Sequence, residues 1–370
     1  VAGLFGIDKI PFDERVAWVE AHDLEIRLAA TSPLEYQFWT EADKPYQALA
    51  AIFEWDAFKM QGDSFISHLP IAMDGSNNGA QHLSAMGRDE RATVNLKPTE
   101  LPEDIYNDVA REVSLEVARL AAEGDEMALL WVGKITRAIA KQPVMTLCYG
   151  ATQRGMASQI ESTLRKAAES GKPILNGKDI RTPCFWLASI IYPAIGRVTR
   201  SAVEIMAWLQ SAAKVAARTE LPVKWVTPAG FPVLQSYAKQ NQHTVNSVIA
   251  GSRVRVRLNE DAEGMDVRRQ AAGISPNFVH SLDAAHLMLT VNALVDEGIT
   301  SFAMIHDSYG CHAADVDTMN YAIRRVFVDM YTDDVLEDFR EQLLAQLPDD
   351  KKEELLPIPE KGTLRLEGIL

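Results

Sequence analysis

The sequence predicts an α+β fold dominated by helix, with a small sheet that holds two aspartate-bearing turns. Apolar residues recur at helical spacing, as at 105, 109, 113, 117 and 120. RVRVRL at 253–258 alternates without a break, the period of a strand. HLPIAM at 68–73 and FAMI at 302–305 are short apolar runs that lead into Asp74 and Asp307. There are no internal repeats and no low-complexity linker, which fits an α+β class.

Each element follows from its local pattern. Residues 12–60 are expected as helices joined by short breaks. SPLEYQFW at 32–39 opens one of them, because Ser32 and Pro33 suit a helix start and Glu35 stands three residues after Ser32. HLPIAM is expected as a buried strand ending in a turn. EDIYNDVAREVSLEVARLA at 103–121 is a helix, and residues 128–148 and 195–217 are two more. KWVTPAGFPVLQ at 224–235 is a hairpin around Pro228, Ala229 and Gly230. On a strand, RVRVRL puts Arg253, Arg255 and Arg257 on one face and Val254, Val256 and Leu258 on the other. Residues 276–297 return to helix. FAMI, HDS and YGCH then read as strand, tight turn and returning strand, and the tail from Thr318 is mostly helix with acidic faces.

With 370 residues the chain can bury a large core, as one large or two intertwined domains. No run of about 18 apolar residues occurs, so no membrane span is expected. The N-terminus has no basic region followed by an apolar core, which excludes a secretory signal pattern there. It lacks an initiator Met and opens mid-pattern, so a fragment or processed piece is expected. Cys148, Cys184 and Cys311 have no ligand-like spacing and fit a reducing compartment. The net charge of −14 argues against a nucleic-acid partner until its distribution is read. Between Met127 and Asn259, 18 Lys and Arg stand against 5 Asp and Glu, a net of +13 that leaves −27 elsewhere. Such an asymmetry marks a phosphate-facing surface within an acidic body, although solvated helix faces give the same count.

Arg137 and Lys141 are spaced i, i+4 and share a helix face. Continued through Met145 to Tyr149, the stripe is roughly 18 Å long, the reach of a nucleoside triphosphate. Cations would hold phosphates and the aromatic end would meet sugar and base. Gly150 lets the chain leave the helix or lets a base approach. Asp74 and Asp307, 233 residues apart, each sit at an expected strand end. If they converge, they form a two-metal site for Mg²⁺, favoured over Zn²⁺ by hard oxygen ligands. Asp-Gly at a strand end is ordinarily only a turn, but a β-turn has no need of His306 before Asp307.

Over nearly its whole length the chain resembles the C-terminal palm and fingers of the bacteriophage-type single-subunit DNA-directed RNA polymerases, a family with relatives in mitochondria and plastids. The similarity runs through GIDKIPF at 6–12, SPLEYQFW, DGSNNGAQHLSAMGRDE at 74–90, VMTLCYG at 144–150, WVTPAGFPV at 225–233, GISPNFVHSLDAAHL at 273–287, SFAMIHDSYG at 301–310 and KGTLRL at 361–366. It implies a right-hand polymerase fold: palm at 1–90 and 281–370, and fingers at 91–280 with a specificity hairpin near 224–259. The thumb and N-terminal domain would precede Val1.

The implied activity is template-directed nucleotidyl transfer from NTPs to an RNA 3′ end. Asp74, with the Gly75 carbonyl, and Asp307 would be the metal ligands. Asp74, Lys141 and Asp307 are the catalytic set the resemblance implies. Arg137 and Lys141 would bind triphosphate, and Tyr149 would select ribose. His280 would lie near the growing RNA end, and His306 precedes the second metal ligand. Arg253, Arg255 and Arg257 would face DNA, unless the ladder is a solvated edge strand. Implied partners are DNA template, RNA product, NTPs and a missing N-terminal polypeptide, in the host cytoplasm rather than an organelle matrix.

Two residues depart from the family pattern. Pro143 predicts a helix that kinks or starts late, and Arg154 stands where an aromatic is usual. A related DNA polymerase is the alternative enzyme, but Asp74-Gly75-Ser76 and Asp307-Ser308 favour RNA. A catalytically silent nucleic-acid-binding piece is the alternative outside enzymes.

Overall fold

The computed structural model describes residues 1–7, 10–90, 104–175 and 179–370. Asp8 and Lys9 of the GIDKIPF motif, and Glu103 at the expected start of the 103–121 helix, lie outside the described residues. Two compact units emerge. One holds residues 1–75 and 292–323, the other residues 76–90, 104–291 and 324–370.

In chain order the first elements are α1 (Phe12–Ala21), α2 (Asp23–Thr31), α3 (Pro45–Gln61) and β1 (Ile71–Asp74). Acidic residues occupy the first turns of α1 and α2, where they offset the helix dipole. Pro45 opens α3, where its missing N–H costs nothing. Ala2, Val19, Ile26, Ala29 and Ile52 form the core of this unit, with Phe5, Trp18, Phe38 and Trp55 packed around it.

Next come α4 (Asn78–Gly87), α5 (Ile105–Ala122), α6 (Glu126–Trp131), α7 (Arg137–Leu147), α8 (Gln153–Glu169), α9 (Arg181–Val198) and α10 (Arg200–Arg218). They are followed by β2 (Val223–Val226), β3 (Pro232–Gln235), β4 (Ala238–Ile249), β5 (Ser252–Met265) and α11 (Val267–Asp296). The chain closes with β6 (Ser308–Cys311), α12 (Val316–Met330) and α13 (Val335–Gln346). The class is mostly helical, with three two-stranded antiparallel sheets, β1–β6, β2–β3 and β4–β5, among the described residues.

The α5 stripe forms as its spacing predicts. Asp104 caps the helix by accepting from Tyr106 N and Asn107 N, and Ile105, Val109, Val113 and Val117 are buried. Each buried branched side chain contributes about 1.5–3 kcal/mol relative to exposure. Trp131 is fully buried and its indole donates to Pro183 O at 3.3 Å. The β2–β3 hairpin turns through Gly230 at φ 78° and packs Trp225 against Phe278 and Phe339. Its open edge is met by side-chain amides of α13. Gln346 exchanges hydrogen bonds with the Lys224 backbone, and Gln342 accepts from Val226 N. Pairing an edge in this way removes a site of aggregation. Helix α11 is long and apolar enough to cross a membrane, yet it buries Ile274, Phe278, Val279, Leu282 and Ala285 in the protein core.

Several expectations are corrected. SPLEYQFW does not open a helix. Ser32 N–H donates to Leu28 O as α2 ends, Pro33 cannot extend that helix, and only a 3₁₀ turn follows at Phe38–Glu41. The run at 68–73 is not buried, because its strand β1 lies in a two-stranded ribbon with Ile71 and Ala72 exposed. Residues 128–148 are two helices separated around Gly133 at φ 71°, and residues 195–217 break at Thr199. The late start at Arg137 agrees with the expectation from Pro143, although the helix then runs through that proline. Tyr149 therefore lies beyond the helix end, not on it. FAMI at 302–305 is not a regular strand. Its pairing is one bridge, Ile305 to Ser308, with Ala303 N donating to Gly310 O at 2.9 Å. Helix α11 begins earlier than 276, at Val267.

Trp131→Ala should destabilise the chain by about 3–5 kcal/mol in denaturant unfolding, through loss of burial and the cavity left behind. Leu129→Ala, two residues away but 58 % exposed, should stay within about 0.5 kcal/mol of wild type.

Candidate functional site

The β1–β6 register joins the two aspartate turns. Asp74 pairs across the ribbon with Ser308, and Gly75 N donates to Asp307 O at 3.2 Å. Residues 233 positions apart are thus backbone neighbours. His306 and Asp307 form the two-residue tip between Ile305 and Ser308, which bond to each other in both directions at 2.9 Å. His306 has φ 53°, the left-handed region that a tight two-residue hairpin requires and that His adopts only at a cost. Asp74 and His306 are exposed, and Asp307 is half-buried. Two carboxylates and the Gly75 carbonyl are hard oxygen donors. They suit Mg²⁺, which keeps several waters and completes its shell with substrate oxygens. No group of three or more His, Cys, Asp or Glu occurs that could hold a metal by itself among the described residues.

In the second unit, Arg137 opens α7 half-buried and Lys141 follows exposed one turn on. Arg137 Nε donates to Asp104 Oδ2 at 2.6 Å, and its guanidinium lies 4.9 Å from the centre of the Tyr106 ring. The Tyr106 hydroxyl in turn donates to Ser76 O at 2.9 Å. Asp104 therefore caps α5 and orients Arg137 at once. An ion pair fixed at one nitrogen leaves a planar fork aimed in one direction, which suits an arginine that grips phosphate. The sequence reading missed Asp104 and Tyr106. The Asp before the IYNDV run marked a helix start, but nothing local tied it to a residue 33 positions away.

Tyr149 follows the end of α7 in a tight turn, with Gly150 at φ 78°. Its ring lies 4.7 Å from that of His280, centre to centre and tilted by 32°. Two residues far apart in the chain, one expected to select ribose and the other to lie near the growing RNA end, are thus in contact. Gly79 of α4 lies against the same tyrosine. A Cβ there would stand 2.8 Å from Cys148 Cβ and 3.3 Å from Tyr149 Cζ and Oη. Burial pushes the Cys148 thiol up to about 12, so it fills space as a protonated group. Gly79 was legible only as part of GSNNG, since close packing leaves no mark in sequence.

The arginine ladder is where the alternation puts it. Arg253, Arg255 and Arg257 are exposed on β5, opposite Val248, Asn246 and Thr244 of β4. Val254 and Val256, on the other face, are half-buried. The hairpin turns through Ala250 and Gly251, both at positive φ.

Residues 1–364 match the family model described as DNA-dependent RNA polymerase. The chain is 36 % identical to T7 RNA polymerase of Escherichia phage T7, an alignment that covers all of this chain and 47 % of that protein. It is 37 % identical to the chloroplastic DNA-directed RNA polymerase 3B of Nicotiana tabacum, over 99 % of this chain and 37 % of the relative. It is 35 % identical to the mitochondrial DNA-directed RNA polymerase 1B of the same plant, over 99 % of this chain and 36 % of the relative. The chain spans about half the length, or less, of these relatives.

Cys148 should resist a thiol reagent at pH 8 in the native protein, where burial keeps the thiol protonated, and react on unfolding. Gly79→Ala should cost about 1–3 kcal/mol by overpacking. It should also make Cys148 labelling measurable without denaturant, because the added methyl pushes on the Cys148–Tyr149 turn. Native labelling of the wild type at the rate of an unfolded cysteine would contradict this packing.

Proposed function

Since this chain belongs to the DNA-dependent RNA polymerase family, in its phage-type single-subunit branch, we propose that it carries the nucleotidyl-transfer residues of a DNA-directed RNA polymerase. The observation that carries the reading is the β1–β6 register, which makes the Asp74 and Asp307 turns neighbours. Asp74, Gly75 and Asp307 are the ligands for Mg²⁺. Bound there, the metal would activate the RNA 3′-hydroxyl and neutralise charge on the leaving pyrophosphate.

The remaining work falls to side chains of the second unit. Arg137, oriented by Asp104, grips a phosphate through its guanidinium fork, and Lys141 adds a point charge one turn on. Their charge offsets the negative charge that builds on the triphosphate as the bond to the α-phosphate breaks. Tyr149, backed by Gly79 and touching His280, meets the sugar and selects ribose. Arg253, Arg255 and Arg257 lie along the template-side duplex and position it through phosphates rather than take part in chemistry. In this reading residues 1–90 and 281–370 are palm, and residues 91–280 are fingers with the specificity hairpin. DNA template, NTPs and the RNA product are the partners. The three buried free cysteines fit a reducing compartment, for which we take the host cytoplasm.

Asp307→Asn, assayed in the complete polymerase by primer extension, should lower the rate about a thousandfold, since a lost metal ligand removes several kcal/mol of transition-state stabilisation. Robust extension by that variant would remove the metal assignment. Arg253→Ala with Arg255→Ala should weaken promoter-dependent initiation and lower the salt slope of binding by about 2. Extension on a preassembled primer and template should persist. Equal loss in both assays would make the ladder a support for the fold.

A further inference from the structure

Tyr149 is held by two helices, through Gly79 of α4 and His280 of α11. One turn along each helix stands a buried polar side chain: His82, three residues after Gly79, and Asp283, three after His280. His286 follows a turn later on α11. His82 meets Tyr331, just past the end of α12, and the Asp283 carboxylate acts electrostatically on the same hydroxyl. His82 Nδ1 and the Tyr331 hydroxyl are 2.5 Å apart. The His82 and His286 rings meet edge to face at 6.2 Å, and the Phe327 ring lies 5.3 Å from both and 5.0 Å from Tyr331. Arg88, just past α4, donates from Nη2 to Tyr331 O at 2.7 Å.

The cluster is in the core. His82 is 0 % exposed, Tyr331 2 %, His286 5 % and Asp283 8 %. Burial, and then His286, hold His82 well below the usual histidine range, so it is neutral. Burial, and then the Asp283 carboxylate, push the Tyr331 hydroxyl well up, so it keeps its proton. Burying so many polar groups costs stability that apolar residues of similar volume would not, unless the bonds secure something. Apolar contacts between helices tolerate small slides, whereas the His82–Tyr331 hydrogen bond and the edge-to-face contact of His82 with His286 are made at one register.

We infer that His82, Asp283, His286 and Tyr331 form a positioning cluster that fixes α4 against α11 one turn away from Tyr149, and so sets how strictly the nucleotide sugar is selected. A shift of α4 along α11 moves Gly79 relative to His280, and the Tyr149 ring between them must follow. The inference rests on the reading of Tyr149 as the residue that meets the sugar.

The test uses the complete polymerase, with kcat/KM measured for ribo- and deoxyribonucleotides and amide exchange followed across residues 78–87. Tyr331→Phe removes one hydroxyl and keeps the ring. Asp283→Asn keeps the shape and is the second variant should the first fold poorly. Each should lower the ribo-to-deoxy ratio about tenfold and speed exchange in α4. Ile160→Val, in the core at α8, should lower stability and leave the ratio unchanged. Tyr149→Phe reports on the underlying reading. If it moves the ratio while Tyr331→Phe and Asp283→Asn do not, the positioning role is overturned. If Ile160→Val moves the ratio as much as they do, the cluster is only structural. A ratio unmoved by Tyr149→Phe would overturn the sugar reading, and this inference with it.

Discussion

The close approach of α4 to its neighbours sets the terms for the second unit. All of this helix except Asn78 and Gln81 is buried. It can be surrounded so fully because its contact points lack side chains. A Cβ on Gly87 would stand 2.7 Å from Ser201 Cβ, as one on Gly79 would crowd Cys148. The C-terminal segment closes over the far end of the helix, where Gly362 N donates to Gly87 O and Leu364 N to Arg88 O. Its Leu364, Leu366 and Ile369 side chains are buried. The position of Tyr149 is set by this packing, and backbone packed at van der Waals distance does not slide gradually.

Electrostatics work on a different scale. The segment from Met127 to Asn259 is strongly basic, and part of its charge is paired nearby. Arg165 pairs with Glu161, Arg197 with Glu112, Arg200 with Glu204 and Lys239 with Glu220. Such exposed pairs contribute little to stability. They do neutralise charge that would otherwise attract phosphate indiscriminately. Arg253, Arg255 and Arg257 have no acidic partner among the described residues, so three uncompensated charges line one hairpin face. Near the root of that hairpin the sign reverses, with Glu260, Asp261 and Glu263 on the same strand. The ribbon is therefore basic in its distal part and acidic toward its base.

Local pattern carried much of the architecture. The α5 stripe, the hairpin around Gly230, the alternating arginine strand and the departure of the chain at Gly150 all depend on residues a few positions apart, and all formed where their spacing puts them. The misreadings share a cause. Ser32-Pro33 can open or follow a helix, and Leu28 already provides the carbonyl that ends one there. Helices 128–148 and 195–217 were read through their breaks because a glycine or threonine amid apolar residues does not outweigh the periodicity around it. The strand before Asp74 looked buried because a short apolar run is the same in a covered sheet and an open ribbon.

The sequence by itself determined the family and singled out the residues proposed to bear the chemistry. Asp74, Asp307, Arg137, Lys141 and Tyr149 lie within motifs whose order and wording are family-specific, and the match over residues 1–364 shows that family. Tertiary structure alone decided what touches them. It made the Gly75 amide and the Asp307 carbonyl partners, aimed Arg137 by way of Asp104, and seated Tyr149 against His280 and Gly79. It also gathered His82, Asp283, His286 and Tyr331 into one buried cluster. The physical reason is range. Periodicity and turn chemistry act over a few residues, whereas burial and hydrogen bonding are satisfied between residues that only the folded chain makes neighbours.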